Sequence, residues 1–373
     1  MEFKIKQEEL LKGLSRTQSI VEKKNTIKIL SNVLLKLIGG KLVIEATDLE
    51  VGISGSYEAE VITEGGITVD AKTLFEVVRQ IPDGTSIHCK KKENNWMELI
   101  AVRSVFNLVG LSVEDYPKVP SFEGEEQWKM NPDVLKGMID KTIFSVSHED
   151  MRYNLSGVYM ETLEEGGGVK LRMVATDGHR LSLVDTPLEG KFPLPPGKGI
   201  IAPRKGLMEL RKILDEGKEQ VGMKLEDSNL MVKRDDLNLV MRLVDGTFPD
   251  YKQVIPKNND KKIVFNADDL ARTLRRVSVV SADRIKMVKF HITADSIEVT
   301  SESPNMGNAK EEMKVEYSGG DMDIGFNASY MLDILNAVDE DSVELMLLDE
   351  SSPGEVRPKE GKNYYFIIMP MKI

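Results

Sequence analysis

The sequence predicts an α+β fold in which one domain is repeated three times, with sheet outweighing helix. Three observations carry this reading. An alternating strand runs into an amphipathic helix at Phe3–Val21, again at Trp128–Val146 and again at Ile263–Ser281. A second strand–helix unit follows each, at Gly66–Gln80, Gly199–Asp215 and Met322–Ala337. Short alternating strands, punctuated by Gly-Gly, Asp-Gly and Ser-Gly turns, fill the intervals. The period of roughly 125–135 residues is far longer than the about 20–50 of a solenoid unit, so the repeat is a whole domain.

Each element follows from its residues. The first helix of every repeat carries acids in its opening turn (Glu8 and Glu9, Asp133, Asp268 and Asp269), where a negative charge favours the positive end of the helix dipole. Apolar residues then recur at helical spacing, as in Leu270, Leu274 and Val277, with Arg272, Arg275 and Arg276 on other faces. Leu207, Leu210 and Leu214 repeat the pattern among Arg204, Lys205, Arg211 and Lys212. Six helices are expected, over 7–21, 71–80, 131–146, 204–215, 268–281 and 329–337. Lys41–Ala46, Leu171–Ala175 and Ser296–Thr300 alternate as half-buried strands do. Gly166–Gly168, beside Glu164 and Glu165, reads as a hairpin loop. The proline-bearing segments Asp115–Pro120 and Phe248–Pro256 echo each other and mark connectors. The predicted domains are 1–120, 121–256 and 257–373.

A chain of 373 residues gives each repeat length enough for its own core. Hydrophobic residues at 41% and charged at 30% describe a soluble globular protein, and no apolar run approaches the ~20 residues of a membrane span. The first residues already alternate as a strand, so no secretory segment is expected. One cysteine, Cys89, excludes an internal disulfide and points to a reducing cytoplasm. The net charge of −11 is unevenly placed: the six expected helices hold 13 Lys and Arg against 10 Asp and Glu. Either these are ordinary solvated helix faces, or the helices gather on one surface offered to a polyanion.

Catalytic chemistry is hard to assemble. Pro195–Gly199 contains a Gly-Lys pair, but Phe192 stands where a phosphate loop needs glycine. His88, His148, His179 and His291 lack metal-ligand spacing, so no metal and no cofactor are expected. Asp177, His179, Arg180 and Ser182 alone resemble an acid–base cluster, which would make the chain a hydrolase. Asp-Gly is also a strong turn signal, and no partner nucleophile or metal accompanies the cluster, so a recognition loop is the better functional reading and a structural turn the bland one. In the apolar C-terminal segment, Met369 and Met371 flank Pro370. Flexible thioethers suit an adaptable binding surface as well as a core.

Val174–Ser182, Leu243–Tyr251, Ile324–Tyr330, Thr47–Glu50 and Met369–Ile373 together resemble the bacterial sliding clamps, the beta subunits of the replicative DNA polymerase III holoenzyme. The resemblance spans the whole chain. It implies three DNA-clamp domains, each with two helices on antiparallel sheets, closing head to tail as a ring-shaped homodimer. It implies a cytoplasmic, non-catalytic processivity factor for DNA replication that encircles double-stranded DNA without sequence preference. The partners implied are the polymerase alpha subunit, the clamp loader and other proteins with a clamp-binding motif of the type Gln-Leu-x-Leu-Phe. The DNA-contacting positions fall on Lys24, Lys72, Glu149, Tyr153, Asn154, Arg204 and Lys205. Glu149 and Asn154 depart from the best-known form, which has glutamine and tyrosine there, and a carboxylate repels phosphate. The partner groove falls on Leu155, Thr176, Gly178, His179, Arg180, Leu181, Pro249, Val254, Ile367, Met369, Pro370, Met371 and Lys372. The subunit interface falls on Phe106 and Leu108 against Val279 and Val280 of another copy.

Overall fold

The computed structural model of the chain describes residues 1–21, 27–149, 152–188, 193–194, 197–281, 286–361 and 363–373. Six helices lie in it: α1 (Gln7–Thr17), α2 (Ala71–Arg79), α3 (Pro132–Asp140), α4 (Arg204–Leu214), α5 (Ala267–Val277) and α6 (Ala328–Ala337). Each begins where a strand ends. Asn266, Asn327 and Asp70 cap α5, α6 and α2 by accepting hydrogen bonds from backbone N–H groups of the first turn.

One plan recurs three times. A strand leads into the first helix, a three-stranded antiparallel meander follows, a fourth strand pairs back on the meander and enters the second helix, and another meander closes the repeat. In the first repeat the first meander is Asn32–Ile38, Lys41–Thr47 and Val51–Glu58; in the second it is Gly157–Glu165, Gly168–Thr176 and Arg180–Pro187. In the third it is Met287–Thr293, Ser296–Ser303 and Gly307–Lys314. The return strands Gly65–Asp70, Gly199–Pro203 and Met322–Asn327 pair with the first strand of each meander. Glu60–Thr63 is an extra strand of the first repeat.

The chain divides into two compact units, and each contains residues from two repeats. The first unit holds Met1–Asp133 with Lys205–Leu243, on one 13-stranded sheet. Val51–Gly55 pairs there with Leu237–Met241, joining the first meander of repeat one to the last strand of repeat two. The second unit holds Val134–Gly190, Leu194–Arg204 and Val244–Ile373, with one 8-stranded and one 4-stranded sheet. Arg180–Val184 pairs there with Tyr364–Ile368 by the same rule, first meander of one repeat to last strand of the next. In each unit a helix pair packs together, α1 with α2 and α5 with α6. Phe3, Leu10, Leu14, Leu35 and Leu42 fill the first unit, and Phe290, Phe326 and Phe366 the second, all essentially without exposure.

Three expected helices end early. α1 stops at Thr17, whose hydroxyl donates to Leu14 O at 2.7 Å, and α3 stops at Asp140, with a 3₁₀ turn at Ile143–Ser145. Apolar periodicity overran both ends because Ile20 and Val146 are still buried, although no longer helical. α5 stops at Val277 and passes into a 3₁₀ turn at Ser278–Val280.

Candidate functional site

The turn between Gly168–Thr176 and Arg180–Pro187 organises the densest cluster of predicted site residues. Asp177 Oδ1 accepts from the N–H groups of His179 (2.9 Å) and Arg180 (3.0 Å). Thr176 Oγ1 accepts from Gly178 N at 3.1 Å and donates to Arg180 O at 2.6 Å. Gly178 sits at φ +88°, where a side chain would be strained and would meet Arg152. Asp177 is therefore committed to the turn. His179 is exposed and stacks on Tyr330, ring centroids 6.2 Å apart, instead of pairing with Asp177. The hydrolase reading loses its dyad.

Arg180 is only 8% exposed. Its Nε donates to Asp177 Oδ2 (3.0 Å), Nη1 to Asp333 Oδ2 (2.6 Å) and Nη2 to Phe144 O (2.6 Å). The guanidinium lies 5.2 Å from the Phe144 ring centroid and 4.4 Å from that of Tyr330. All three nitrogens are thus engaged, and the aromatic faces complete a cation–π enclosure. Arg180 builds the rim and has little left to offer an incoming ligand.

Beside this turn opens an apolar groove of about 190 Å³. Nine predicted residues line it: Leu155, Thr176, Gly178, Arg180, Leu181, Pro249, Val254, Ile367 and Met369. His179, Pro370, Met371 and Lys372 are not among the residues that line it. Met369 N donates to His179 O (2.9 Å) and Met371 N to Gly325 O (2.8 Å), so the C-terminal segment is held at two points. Val254 and Met369 remain 45% and 38% exposed, while Leu181 and Ile367 form a buried base.

Two lining residues escaped the sequence reading, Asp250 and Tyr251. The Tyr251 hydroxyl donates to the buried Glu161 carboxylate and accepts from Arg172 Nη1 at 3.2 Å. Arg172 in turn grips Asp185 through two 2.7 Å bonds. Burial pushes the Tyr251 hydroxyl well above its usual pKa, keeping it a donor. Burial opposes the Arg172 charge, but the hydrogen bonds with Asp185 and Tyr251 outweigh it. No sequence motif signals this chain, because its members come from three strands and a turn.

The predicted polyanion contacts fare unevenly. Lys24 lies outside the described residues. Lys72 is exposed on α2. Lys205 is half-buried and reaches Ile20 O at 3.2 Å and the Asp48 carboxylate, whose side chain is 3% exposed. Its charge is matched inside the protein, since a buried Asp48 left unpaired would be costly. Arg204 is also half-buried, its Nε shielded and without a hydrogen-bond partner.

Tyr153 is 72% exposed, whereas Asn154 is half-buried and donates to Thr247 O at 2.9 Å, fastening one loop to another. Glu149 is exposed but pairs with Arg152 Nε at 3.4 Å, which offsets the repulsion its carboxylate would exert on phosphate. Arg152 was not singled out from the sequence; the i,i+3 spacing from Glu149 was its only signal.

Among the described residues, 104–109 pair only with Trp96–Ala101, and Gly307–Lys314 only with Ser296–Ser303, so both strands present open edges. Phe106 and Leu108 are half-buried and register with Leu99 and Met97 on the core side. Val105 and Val109, on the opposite face, are 55% and 62% exposed and were overlooked. Val279 is 68% exposed and Val280 half-buried, beside the Arg276–Glu311 pair at 2.8 Å. Among the described residues there is no cluster of His, Cys, Asp and Glu suited to a metal ion, and no helix long and apolar enough to cross a membrane.

Comparison with known proteins gives a consistent result. Residues 1–120, 129–250 and 252–372 match the N-terminal, central and C-terminal domain families of the DNA polymerase III beta subunit. A Caulobacter vibrioides protein named beta sliding clamp is 36% identical over 375 residues, covering 100% of both chains. An Escherichia coli protein of the same name is 33% identical over 374 residues, again with 100% of both covered. The solved Caulobacter crescentus beta sliding clamp superposes with a TM-score of 0.94 at 36% identity, over 100% of this chain and 99% of that one. A Bartonella birtlesii sliding clamp bound to griselimycin gives 0.95 at 33% identity, over 100% of both.

Proposed function

Because the chain belongs to the DNA polymerase III beta-subunit family, the bacterial sliding clamps, we propose that it closes as a head-to-tail homodimeric ring around duplex DNA, in domains 1–120, 121–256 and 257–373. Its activity is mechanical: it confers processivity on a DNA polymerase and catalyses no reaction of its own. The chain's own pairing rule supports the ring. Twice, the third strand of a first meander pairs with the last strand of the following repeat. Applied once more, the rule joins Gly307–Lys314 of repeat three to Ser104–Leu111 of a repeat one, and both edges stand open. A second copy supplies that partner. Val105 and Val109 then join Phe106, Leu108, Val279 and Val280 in covering apolar surface at the junction.

Duplex DNA occupies the ring's interior, in the cytoplasm. Contacts to phosphate alone carry no sequence information, so a ring linked to DNA by topology slides. Lys72 and, where it falls, Lys24 act as phosphate contacts; Tyr153 and Arg152 extend that set, while Lys205 and Asn154 serve the fold. The apolar groove receives the Gln-Leu-x-Leu-Phe segment of the polymerase alpha subunit, the clamp loader and other motif-bearing proteins.

The observation that carries the groove reading is an apolar cleft with an exposed methionine wall over a buried Leu181–Ile367 base. Two buried Leu or Phe side chains contribute roughly 3–6 kcal/mol before ordering costs, so these two anchors alone hold a short peptide no tighter than about tens of micromolar, and any tighter binding needs its remaining contacts. Titrating a labelled Gln-Leu-Ser-Leu-Phe peptide against Met369→Ala/Leu181→Ala tests it. Peptide affinity falls at least about tenfold, with DNA binding and dimerisation nearly unchanged and folding verified by urea unfolding. Wild-type affinity in the folded variant would place the pocket elsewhere.

A further inference from the structure

The C-terminal wall of the groove is a short segment laid across the edge of a sheet that does not itself line the groove. Strand Met322–Asn327 is the edge of the 4-stranded sheet, paired with Met287–Thr293 on one side. On its other side Gly325 forms a single antiparallel bridge with Met371, whose N–H donates to Gly325 O at 2.8 Å. Two residues earlier, Met369 N donates to His179 O at 2.9 Å. The Met369 side chain, which forms the wall, is thus suspended between two backbone anchors, one in the turn that opens strand Arg180–Pro187 and one on the edge of the 4-stranded sheet.

Gly325 is tightly constrained. A Cβ built there would stand 2.7 Å from Met371 O and 3.2 Å from Ile373 Cγ1. The nearer atom is backbone, so it cannot swing aside as a side chain would, and the bridge forms only because position 325 lacks a side chain. Asn327, two residues on, caps α6 through Ser329 N at 2.9 Å. The strand therefore has little room to retreat from an added methyl group, and the tail moves instead.

We infer that Gly325 is a positioning residue for the partner groove: its missing side chain lets the tail dock at Met371, and that docking sets where Met369 stands. The inference rests on the groove reading above. Partners feel Gly325 without touching it, and affinity depends on how firmly residues 369–373 stay on the sheet edge.

The test uses the full-length protein with a fluorescein-labelled Gln-Leu-Ser-Leu-Phe peptide and measures Gly325→Ala alone and combined with Met369→Ala. Gly325→Ala lowers peptide affinity about tenfold in the natural background and less than about twofold once Met369 is Ala, because residues acting through one another are non-additive. Equal losses in the two backgrounds would overturn the inference, since a general loss of fold is indifferent to Met369. Truncation after Pro370 removes the bridge without altering the strand and covers the case in which Gly325→Ala fails to fold. In it, hydrogen exchange at the Met369 amide quickens and peptide affinity drops; unchanged exchange at Met369 overturns the inference. Absence of peptide binding by the unaltered protein would overturn the groove reading, whereas unaltered peptide affinity in Gly325→Ala would overturn this inference alone.

Discussion

At the scale of single residues, sequence and structure diverge mainly over which charges are available. Arg180 and Lys205 look alike in the sequence, each a cation in a polar run, yet both are engaged internally, Arg180 with Asp177 and Asp333 and Lys205 with Asp48. Lys72 stays exposed. Composition cannot separate them, because Asp333 and Asp48 lie far off in sequence and meet these cations only through the fold, while Asp177 reads from the sequence as part of a turn. The difference is measurable. Lys72→Ala flattens the log–log salt dependence of DNA binding by about 0.9 for each of the ring's two copies that contacts a phosphate. Lys205→Ala leaves that slope nearly intact but costs stability on the order of 1–3 kcal/mol, because the buried Asp48 carboxylate keeps the N–H donors of Glu50 and Val51 but loses its counter-charge. DNA titrations at several salt concentrations and urea unfolding of both variants check the pair of expectations. An unchanged slope for Lys72→Ala would remove it from the DNA contacts.

At the scale of elements, the repeat was readable because local patterning fixes strand-to-helix units without long-range help. The three strand–helix starts and their acidic first turns appear where expected. Helix ends were less readable, since Ile20 and Val146 keep the apolar rhythm after the helix has stopped. The open edges were not readable at all: which strand lacks a neighbour depends on the pairing of every other strand. Phe106 and Leu108 were reached through family resemblance, and the structure turns them toward Leu99 and Met97 while leaving Val105 and Val109 outward. An edge strand that docks there pairs the open backbone groups and shields the adjacent side chains on both faces. Leu108→Asp places a charge at that junction, costing several kcal/mol of association. Sedimentation at sub-micromolar concentration is expected to show monomer for this variant where the natural chain is dimeric. A fully dimeric Leu108→Asp protein would contradict the placement.

At the scale of the whole molecule, a chain with a net charge of −11 that works on DNA is consistent only if attraction is local and retention is topological. A ring needs little affinity once closed, so equilibrium binding reports on the phosphate contacts and retention after loading reports on encirclement. The most direct measurement loads the protein onto nicked circular DNA with a clamp loader and ATP, then separates bound from free protein by gel filtration at high salt. Half of the loaded complex is cut once with a restriction enzyme before the column. Protein that elutes with the intact circles and is lost from the linearised DNA is the predicted result. Equal retention on circular and linear DNA, or none on either after loading, would contradict a clamp that encircles the duplex.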